Sequence, residues 1–256
     1  MILVSSDKAA LFVIEALKVV QEAEKRKIKL RVMGAVAFRI HCPKFIKLID
    51  AMNRQLTDLD FIGYRKQRSD TINMFKELGY KLDKEMLILG ERLKFHSPAG
   101  GPDVDVFLDE LKMSHTIVFK NRLELDSPTI PLIDLLLEKM QIVQINEKDI
   151  KDTIVLLREH SVGNGQPETI DADYLSKLLS SDWGFYYTVT TNLRKVVEFL
   201  PAYDALSTDD QQDVSSRISL LLEKIESAPK STKWKIRASV GTKRKWYEDV
   251  EETHIA

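Results

Sequence analysis

Apolar residues recur at helical spacing near the start of the chain and in alternation further along. Across residues 6–27 they fall at every third or fourth position, which predicts an amphipathic helix with Ser6 as its N-cap. Residues 29–33 alternate in hydropathy and predict a strand that stops at Gly34, and residues 35–40 have a helical composition. Gly34 therefore lies at a predicted turn from strand to helix. Glycine there either fits a tight turn or lets the backbone approach an anion.

Two later strands carry carboxylates in alternation with apolar side chains. The first covers residues 57–64 and contains Asp58 and Asp60, and the second begins at Asp103 and contains Asp105. Residues two apart on a strand lie about 6.6 Å apart and point to one face, so each pair of acids shares a face. Paired carboxylates repel each other in a dry site, and a cation between them relieves that repulsion. The alternative is a strand end whose acids face water.

Helical patterns dominate the rest of the chain. They cover residues 43–54, 70–78, 133–145, 147–160, 172–179, 183–199 and 209–225. A hairpin is predicted over residues 86–96 and an extended region over 116–125, and the glycine-rich stretch 162–167 predicts a linker. The sequence thus predicts an α/β (α+β) fold, with a mixed-sheet domain at residues 1–162 and a helical domain at residues 163–256.

Composition narrows the classes of function without naming a partner. Apolar residues make up 44% of the chain and charged residues 30%, with a formal net charge of −1, which is typical of a soluble protein. The one cysteine, Cys42, excludes an intramolecular disulfide framework and a thiolate zinc site, so a reducing compartment fits best. We expect a cytoplasmic protein, since the sequence shows neither a signal peptide nor a membrane span. The motifs of serine hydrolases and P-loop NTPases are absent, and the histidines show no metal-ligand spacing.

The glycine turn and the acidic strands combine into one recognisable pattern. The pattern consists of Gly34-Ala35, Asp58-Leu59-Asp60 and Asp105. It resembles the pattern of the polymerase β-type nucleotidyltransferases, which share a glycine followed by a small residue, then D-x-D, then a third acid on a neighbouring strand. This resemblance implies a mixed-sheet nucleotidyltransferase domain. It also implies a transfer reaction that uses two divalent ions.

Further residues are similar to the AbiEii-like nucleotidyltransferases, a branch that includes toxins of toxin–antitoxin systems. They are Arg54, the helical run 135–139 and the run 148–152, and the resemblance covers roughly residues 8–160. It implies a partner protein if the chain belongs to such a pair. Acids in a first helical turn also favour the helix dipole, which is the structural alternative for the acids of residues 148–152.

The resemblance implies a Mg²⁺-dependent transfer of a nucleoside monophosphate from an NTP to a hydroxyl, with release of pyrophosphate. Asp58, Asp60 and Asp105 would be the catalytic residues and the ligands of two Mg²⁺ ions. The Gly34-Ala35 turn would receive the leaving phosphates, and Lys139 would neutralise the triphosphate. The alternative for Lys139 is a buried stem whose ammonium reaches water.

Two choices stay open in the sequence. Asp103 shares a face with Asp105, and we favour Asp105 as the third ligand because Asp103 follows Gly-Gly-Pro at the start of its strand. The second choice is between an enzyme and a catalytically inactive nucleotidyltransferase-fold module for binding or regulation. The intact acids favour the enzyme, whereas Ala35, in place of the usual glycine or serine, favours the inactive module.

The segment 230–247 differs from the rest of the chain. It contains seven basic residues and no acid, with Trp234, Trp246 and Tyr247 among them. Cations beside aromatic rings suit a nucleic-acid strand, whose phosphates and bases they would bind. The alternative is a helical cap with its rings packed and its lysines in water. RNA and a small molecule are therefore both candidate acceptors.

Overall fold

The computed structural model describes residues 5–85 and 92–250, so the predicted strand at 86–89 lies outside the described residues. Cα packing divides the chain into two compact units. The first consists of Met1–Ile46, Asn53–Leu111 and Val118–Pro131. The second consists of Lys47–Met52, Lys112–Ile117 and Leu132–Ala256.

Helices and short strands alternate in the first half, and helices dominate the second. The helices are α1 Ser5–Lys25, α2 Gly34–His41, α3 Ile46–Ala51, α4 Arg68–Glu77, α5 Leu132–Met140, α6 Glu147–Glu159, α7 Ala172–Leu179, α8 Trp183–Phe199, α9 Thr208–Ser227 and α10 Thr232–Val240. The strands are β1 Leu30–Met33, β2 Leu59–Gly63, β3 Lys81–Leu82, β4 Arg92–His96, β5 Val104–Leu108, β6 Glu110–Lys112, β7 Thr116–Val118, β8 Ser161–Gly163 and β9 Thr169–Asp171. Within the described part of the chain, no helix combines the length and apolarity that crossing a membrane requires.

A mixed sheet organises the first unit. Its strand order is β1-β2-β5-β4-β3, with β6 paired to β5. Strands β2 and β5 run parallel, whereas β1 pairs with β2, and β4 with β5 and β3, in antiparallel fashion. The predicted fold class, a mixed α/β architecture followed by a helical region, is confirmed.

One face of this sheet is packed with aromatic side chains. Phe75 of α4 stacks on Phe95 of β4 with ring centroids 4.4 Å apart, and it meets Phe61 of β2 and Tyr80 edge-on at 6.2 and 5.4 Å. These side chains are almost wholly buried. Burial of a large aromatic side chain stabilises a fold by about 1.5–3 kcal/mol, so this cluster holds the central strands in place. The alternating polar residues of the same strands therefore lie on the opposite face.

The second unit is a helical assembly. Helix α9 packs against α6, α7 and α8, and α5 packs against α6 and α8. Five of these helices begin at a polar residue whose side chain accepts a hydrogen bond from a first-turn N–H group; these N-caps are Asn146, Asp171, Asp182, Ser207 and Ser231. Each such cap contributes about 1 kcal/mol and favours the start of the helix at that residue.

Several predicted elements differ from the structure. Ser6, expected as the N-cap of the first helix, is the second residue of α1. The helix expected over 43–54 is shorter (α3), since Asn53 takes a left-handed conformation with φ 52°. The helix expected over 133–145 ends at Met140. The extended region over 116–125 is limited to β7, because a turn with Asn121 at φ 59° follows it. The expected linker at 162–167 begins inside β8, which pairs with β9.

The predicted domain boundary after residue 162 stays a prediction, because Cα packing does not test whether a segment folds independently. In that packing, residues 132–162 group with the C-terminal helices. Helices α5 and α6 contribute a continuous apolar surface to that unit, including Leu135, Leu136 and Leu156, all fully buried.

The aromatic residues of the basic segment pack within the second unit. The Trp234 ring meets Tyr186 edge-on at 5.0 Å, and Trp246 meets Tyr187 edge-on at 5.1 Å. Gly184 makes room for this contact, since a Cβ there would lie 2.7 Å from the Trp246 carbonyl oxygen. These contacts favour the packing alternative over rings that stack on bases.

Buried His115 gives this unit a predicted pH dependence. Burial lowers the pKa of His115 to about 4, and its Nε2 lies 2.8 Å from Thr188 Oγ1. In the unfolded chain the imidazole takes up its proton near its ordinary pKa of 6.5. As pH falls from 6.5 to 4, the unfolded state therefore binds more protons, and stability should fall by up to about 1.4 kcal/mol per pH unit. We expect His115→Gln to flatten the pH dependence of the free energy of unfolding in urea across this window.

His115→Phe provides a second variant for that measurement. It removes the titrating imidazole and keeps an aromatic ring beside Phe185, so the slope should flatten as it does in His115→Gln. An unchanged slope in His115→Gln would contradict the assignment.

Candidate functional site

The three carboxylates predicted to act together converge in the first unit. Asp60 of β2 and Asp105 of β5 are paired neighbours in parallel register, and Asp58 directly precedes β2. One carboxylate oxygen from each of Asp58, Asp60 and Asp105 lies within 4.8 Å of the others. The alternation seen in the sequence thus places all three acids on the polar face of the sheet.

Gly34 lies against this group. It is the first residue of α2, with φ 65°, and its neighbour Met33 is paired with Asp60 across β1 and β2. A Cβ at position 34 would lie 2.3 Å from Asp60 Oδ2, far inside van der Waals contact. Both the left-handed backbone and this contact require glycine. The predicted turn is present, and it brings the backbone against a carboxylate.

Asp105 has the surroundings of a cation ligand. It is 9% exposed, and burial raises the pKa of its carboxyl group, an effect that Arg92 and Lys94 partly offset. Arg92 Nε lies 3.3 Å from Asp105 Oδ1, yet among the described residues this oxygen has no hydrogen-bond partner. A buried carboxylate oxygen without a hydrogen bond is costly. Divalent cations prefer carboxylate oxygens, so the residues present fit such an ion.

The structure separates Asp103 from Asp105. Asp103 precedes β5 and accepts a hydrogen bond from the Ser97 N–H group at 3.1 Å, while its other oxygen lies 3.0 Å from His96 Nδ1. Its carboxylate is therefore engaged by the last residue of β4 and by the residue that follows it. Asp105 is the one of the two that lies with Asp58 and Asp60.

Lys139 belongs to the second unit and lies in a buried ion cluster. Its Nζ is 2.9 Å from Glu138, 3.4 Å from Asp152 and 3.6 Å from Asp149. Burial alone would lower the pKa of Lys139, but the three carboxylates raise it above its ordinary value. The Lys139 side chain is 10% exposed and its ammonium is paired with carboxylates, which differs from the expected alternative of an ammonium in water. Asp149 and Asp152 pair with this ammonium, so their role is not limited to a favourable interaction with the helix dipole.

Removing the Lys139 charge should destabilise the protein strongly. Lys139→Met would leave three carboxylates together in a buried site, and breaking a buried ion pair on one side costs about 3–5 kcal/mol. The free energy of unfolding in urea measures this loss. Lys224→Met is the control, since Lys224 pairs with Asp173 on the surface and such pairs contribute less than about 1 kcal/mol. Equal effects of the two changes would contradict the account of the cluster.

Two cations beside the carboxylates were not predicted from the sequence. Arg92 and Lys94 lie on β4, and Lys94 is directly opposite Asp105 in antiparallel register. The signal was the alternation of the five residues Arg-Leu-Lys-Phe-His. The sequence predicts only a local hairpin for this strand, whereas its pairing with β5 joins it to the acidic strands.

The cations of the basic segment divide into two groups. Arg237 lies over the Trp183 ring at 4.6 Å and donates to the Gly241 carbonyl, and Lys245 pairs with Asp249 at 2.5 Å. Lys245 is exposed, as are Lys233, Lys235, Lys243 and Arg244. Part of the positive charge therefore has a structural role.

Comparisons with known proteins add little to this geometry. No family model matches the chain, and no curated protein matches its sequence. The solution structure of the antibiotic-resistance factor ANT(2'')-Ia is similar to this chain, with 14% sequence identity and a TM-score of 0.31. The match covers 92% of this chain and 94% of the ANT(2'')-Ia chain. A TM-score this low carries no argument about fold or activity. The interpretation of the site therefore rests on the residues that converge there.

Proposed function

We propose that this protein is a Mg²⁺-dependent nucleotidyltransferase that moves a nucleoside monophosphate from an NTP to a hydroxyl group of an acceptor. The observation that carries the proposal is the convergence of Asp58, Asp60 and Asp105 within 4.8 Å, with Gly34 packed against Asp60. The pattern of these residues in the sequence resembles the polymerase β-type nucleotidyltransferases. An oxygen-rich site of this kind suits magnesium.

In this proposal the three carboxylates hold two Mg²⁺ ions. When bound, the ions supply positive charge that stabilises the attacking and leaving oxygens. Asp105 also accepts the proton of the acceptor hydroxyl.

The start of α2 receives the leaving phosphates in the same proposal. The N-terminus of a helix attracts anions through the helix dipole, and α2 begins with Gly34 and Ala35. The role of Lys139 as a nucleotide ligand stays a prediction, since its ammonium is paired with three carboxylates of the second unit.

The test is a search for added nucleotide mass. Purified protein is incubated with Mg²⁺ and each of the four NTPs, together with RNA, protein or metabolite fractions from cells, and the products are analysed by mass spectrometry. We expect one fraction to gain the mass of a nucleoside monophosphate while pyrophosphate is released. The gain should disappear when the divalent ions are chelated.

Neighbouring acids supply a matched pair of variants. Asp105→Asn should remove the mass gain, whereas Asp103→Asn should retain most of it, because Asp103 is engaged by Ser97 and His96. If the wild-type protein binds Mg²⁺ and an NTP but no fraction gains mass, the protein is the inactive binding or regulatory module and the proposed enzyme is wrong.

A further inference from the structure

Two cations share the sheet face that carries the carboxylates. Directly paired residues of neighbouring strands point to the same face, and Lys94 is paired with Asp105 just as Asp105 is paired with Asp60. Arg92 lies two residues before Lys94 on β4 and so points to this face as well. The site therefore combines three carboxylates with two cationic side chains on three adjacent strands.

The two cations differ in what they contact. The Arg92 guanidinium lies 3.3 Å from Asp105 and 5.9 Å above the ring of Phe107, which is its partner in the strand register. Arg92 is thus held between a carboxylate and an aromatic ring. Lys94 is half-buried, and among the described residues no carboxylate lies within ion-pair distance of its ammonium. Its charge nevertheless acts on Asp105, whose pKa it lowers.

A half-buried lysine without an ion-pair partner at a carboxylate site needs a physical reason. A positive charge beside metal ligands weakens metal binding, so Lys94 does not serve the ions alone. A polyphosphate that approaches the same carboxylates through its metal ions brings several negative charges to this position. A lysine ammonium suits such a ligand because it offers a compact charge and three donors.

We propose that Lys94 is a binding residue for the polyphosphate of the NTP. This inference rests on the proposed function, since it concerns the nucleotide of the same site. Lys94 contacts the β- and γ-phosphates, whereas Arg92 stays with Asp105 and Phe107. Lys94 therefore adds affinity that depends on the number of phosphates.

The proposal predicts opposite effects on two ligands when the Lys94 charge is removed. Lys94→Met keeps much of the aliphatic stem and removes the ammonium. It should weaken binding of the NTP by about 10- to 100-fold, the range expected for a lost charge-assisted hydrogen bond. The same change should strengthen binding of Mn²⁺ alone, because a like charge beside the carboxylates is gone. A merely structural role of Lys94 would weaken both.

Calorimetric titration measures both affinities without turnover. The probes are the non-hydrolysable α,β-methylene analogues of the four NTPs in the presence of Mg²⁺, the matching nucleoside monophosphates, and Mn²⁺ alone. Affinity for the monophosphate should change less than threefold in Lys94→Met. Lys94→Arg should restore most of the affinity for the triphosphate analogue. If Lys94→Met does not fold, Lys94→Gln takes its place.

Lys81→Met is the matched control. Lys81 lies on β3 at the edge of the same sheet, is exposed and is paired in register with His96. Its replacement should leave every affinity unchanged. If the wild-type protein turns over and binds an NTP and Lys94→Met binds the analogue equally well, the role of Lys94 is refuted and the proposed function stands. If the wild-type protein binds none of the analogues, both proposals fail.

Discussion

Replacing Asp60 by asparagine should abolish nucleotidyl transfer and leave the protein folded. Asp60 is the central member of the carboxylate group, since it is paired with Asp105 and packed against Gly34. Asparagine keeps the shape of the side chain but removes the charge that binds a divalent ion. Changes to outer-shell partners of metal ligands already cost about 10–100-fold, so loss of a ligand charge should lower turnover by more than about 100-fold. Rates of pyrophosphate release measure the effect.

The stability of Asp60→Asn separates a lost ligand from a lost fold. Three carboxylates within 4.8 Å repel one another when no cation is bound. Without divalent ions, the thermal midpoint of the variant should therefore equal or exceed that of the wild-type protein. Added Mg²⁺ should raise the midpoint of the wild-type protein more than that of the variant. Wild-type turnover in Asp60→Asn would end the two-metal interpretation.

Replacing Gly34 by alanine should have a comparable effect on turnover by a different route. The added Cβ would lie 2.3 Å from Asp60 Oδ2 and 3.0 Å from Asp60 Cγ, so the carboxylate has to move. The residue also has to keep φ near 65°, which costs about 1–2 kcal/mol for a residue with a Cβ. We expect loss of nearly all nucleotidyl transfer together with a lower thermal midpoint.

Gly100→Ala is the control that measures the effect of the backbone conformation alone. Gly100 has φ 76°, and a Cβ there would meet nothing within 4 Å. Gly100→Ala should therefore carry a similar backbone cost and leave turnover near the wild-type rate. If Gly34→Ala and Gly100→Ala behave alike, contact with Asp60 is not the reason for glycine at position 34.

Alternation along single strands was enough to predict that the acids of each strand share a face. That Asp105 joins Asp58 and Asp60 followed only from the resemblance, because it depends on the pairing of β5 with β2. The acids at 58 and 60 and the acid at 105 occur among apolar residues, and a strand with one buried face has only one way to orient them. The choice of Asp105 over Asp103 also followed from local sequence, because Gly-Gly-Pro delays the start of the strand to Val104. The orientation of the acids and the start of β5 thus depend on neighbours in the chain.

Features that depend on distant pairing could not be predicted in the same way. Lys94 acquires its position only because β4 pairs with β5, and no local pattern specifies that partner. The buried cluster around Lys139 arises because α5 packs against α6, which brings Asp149 and Asp152 to an ammonium on another helix. The stretch expected to be a linker contributes to β8 because β9 supplies hydrogen bonds to it.

Transfer of a labelled phosphate tests the central claim most directly. The protein is incubated with Mg²⁺, the acceptor fraction and an NTP labelled either at its α-phosphate or at its γ-phosphate. We predict that the α-label appears on the acceptor, that the γ-label leaves in pyrophosphate, and that Asp60→Asn transfers neither. Transfer of the γ-label to the acceptor, or release of both labels to solution without a labelled acceptor, would contradict nucleotidyl transfer at Asp58, Asp60 and Asp105.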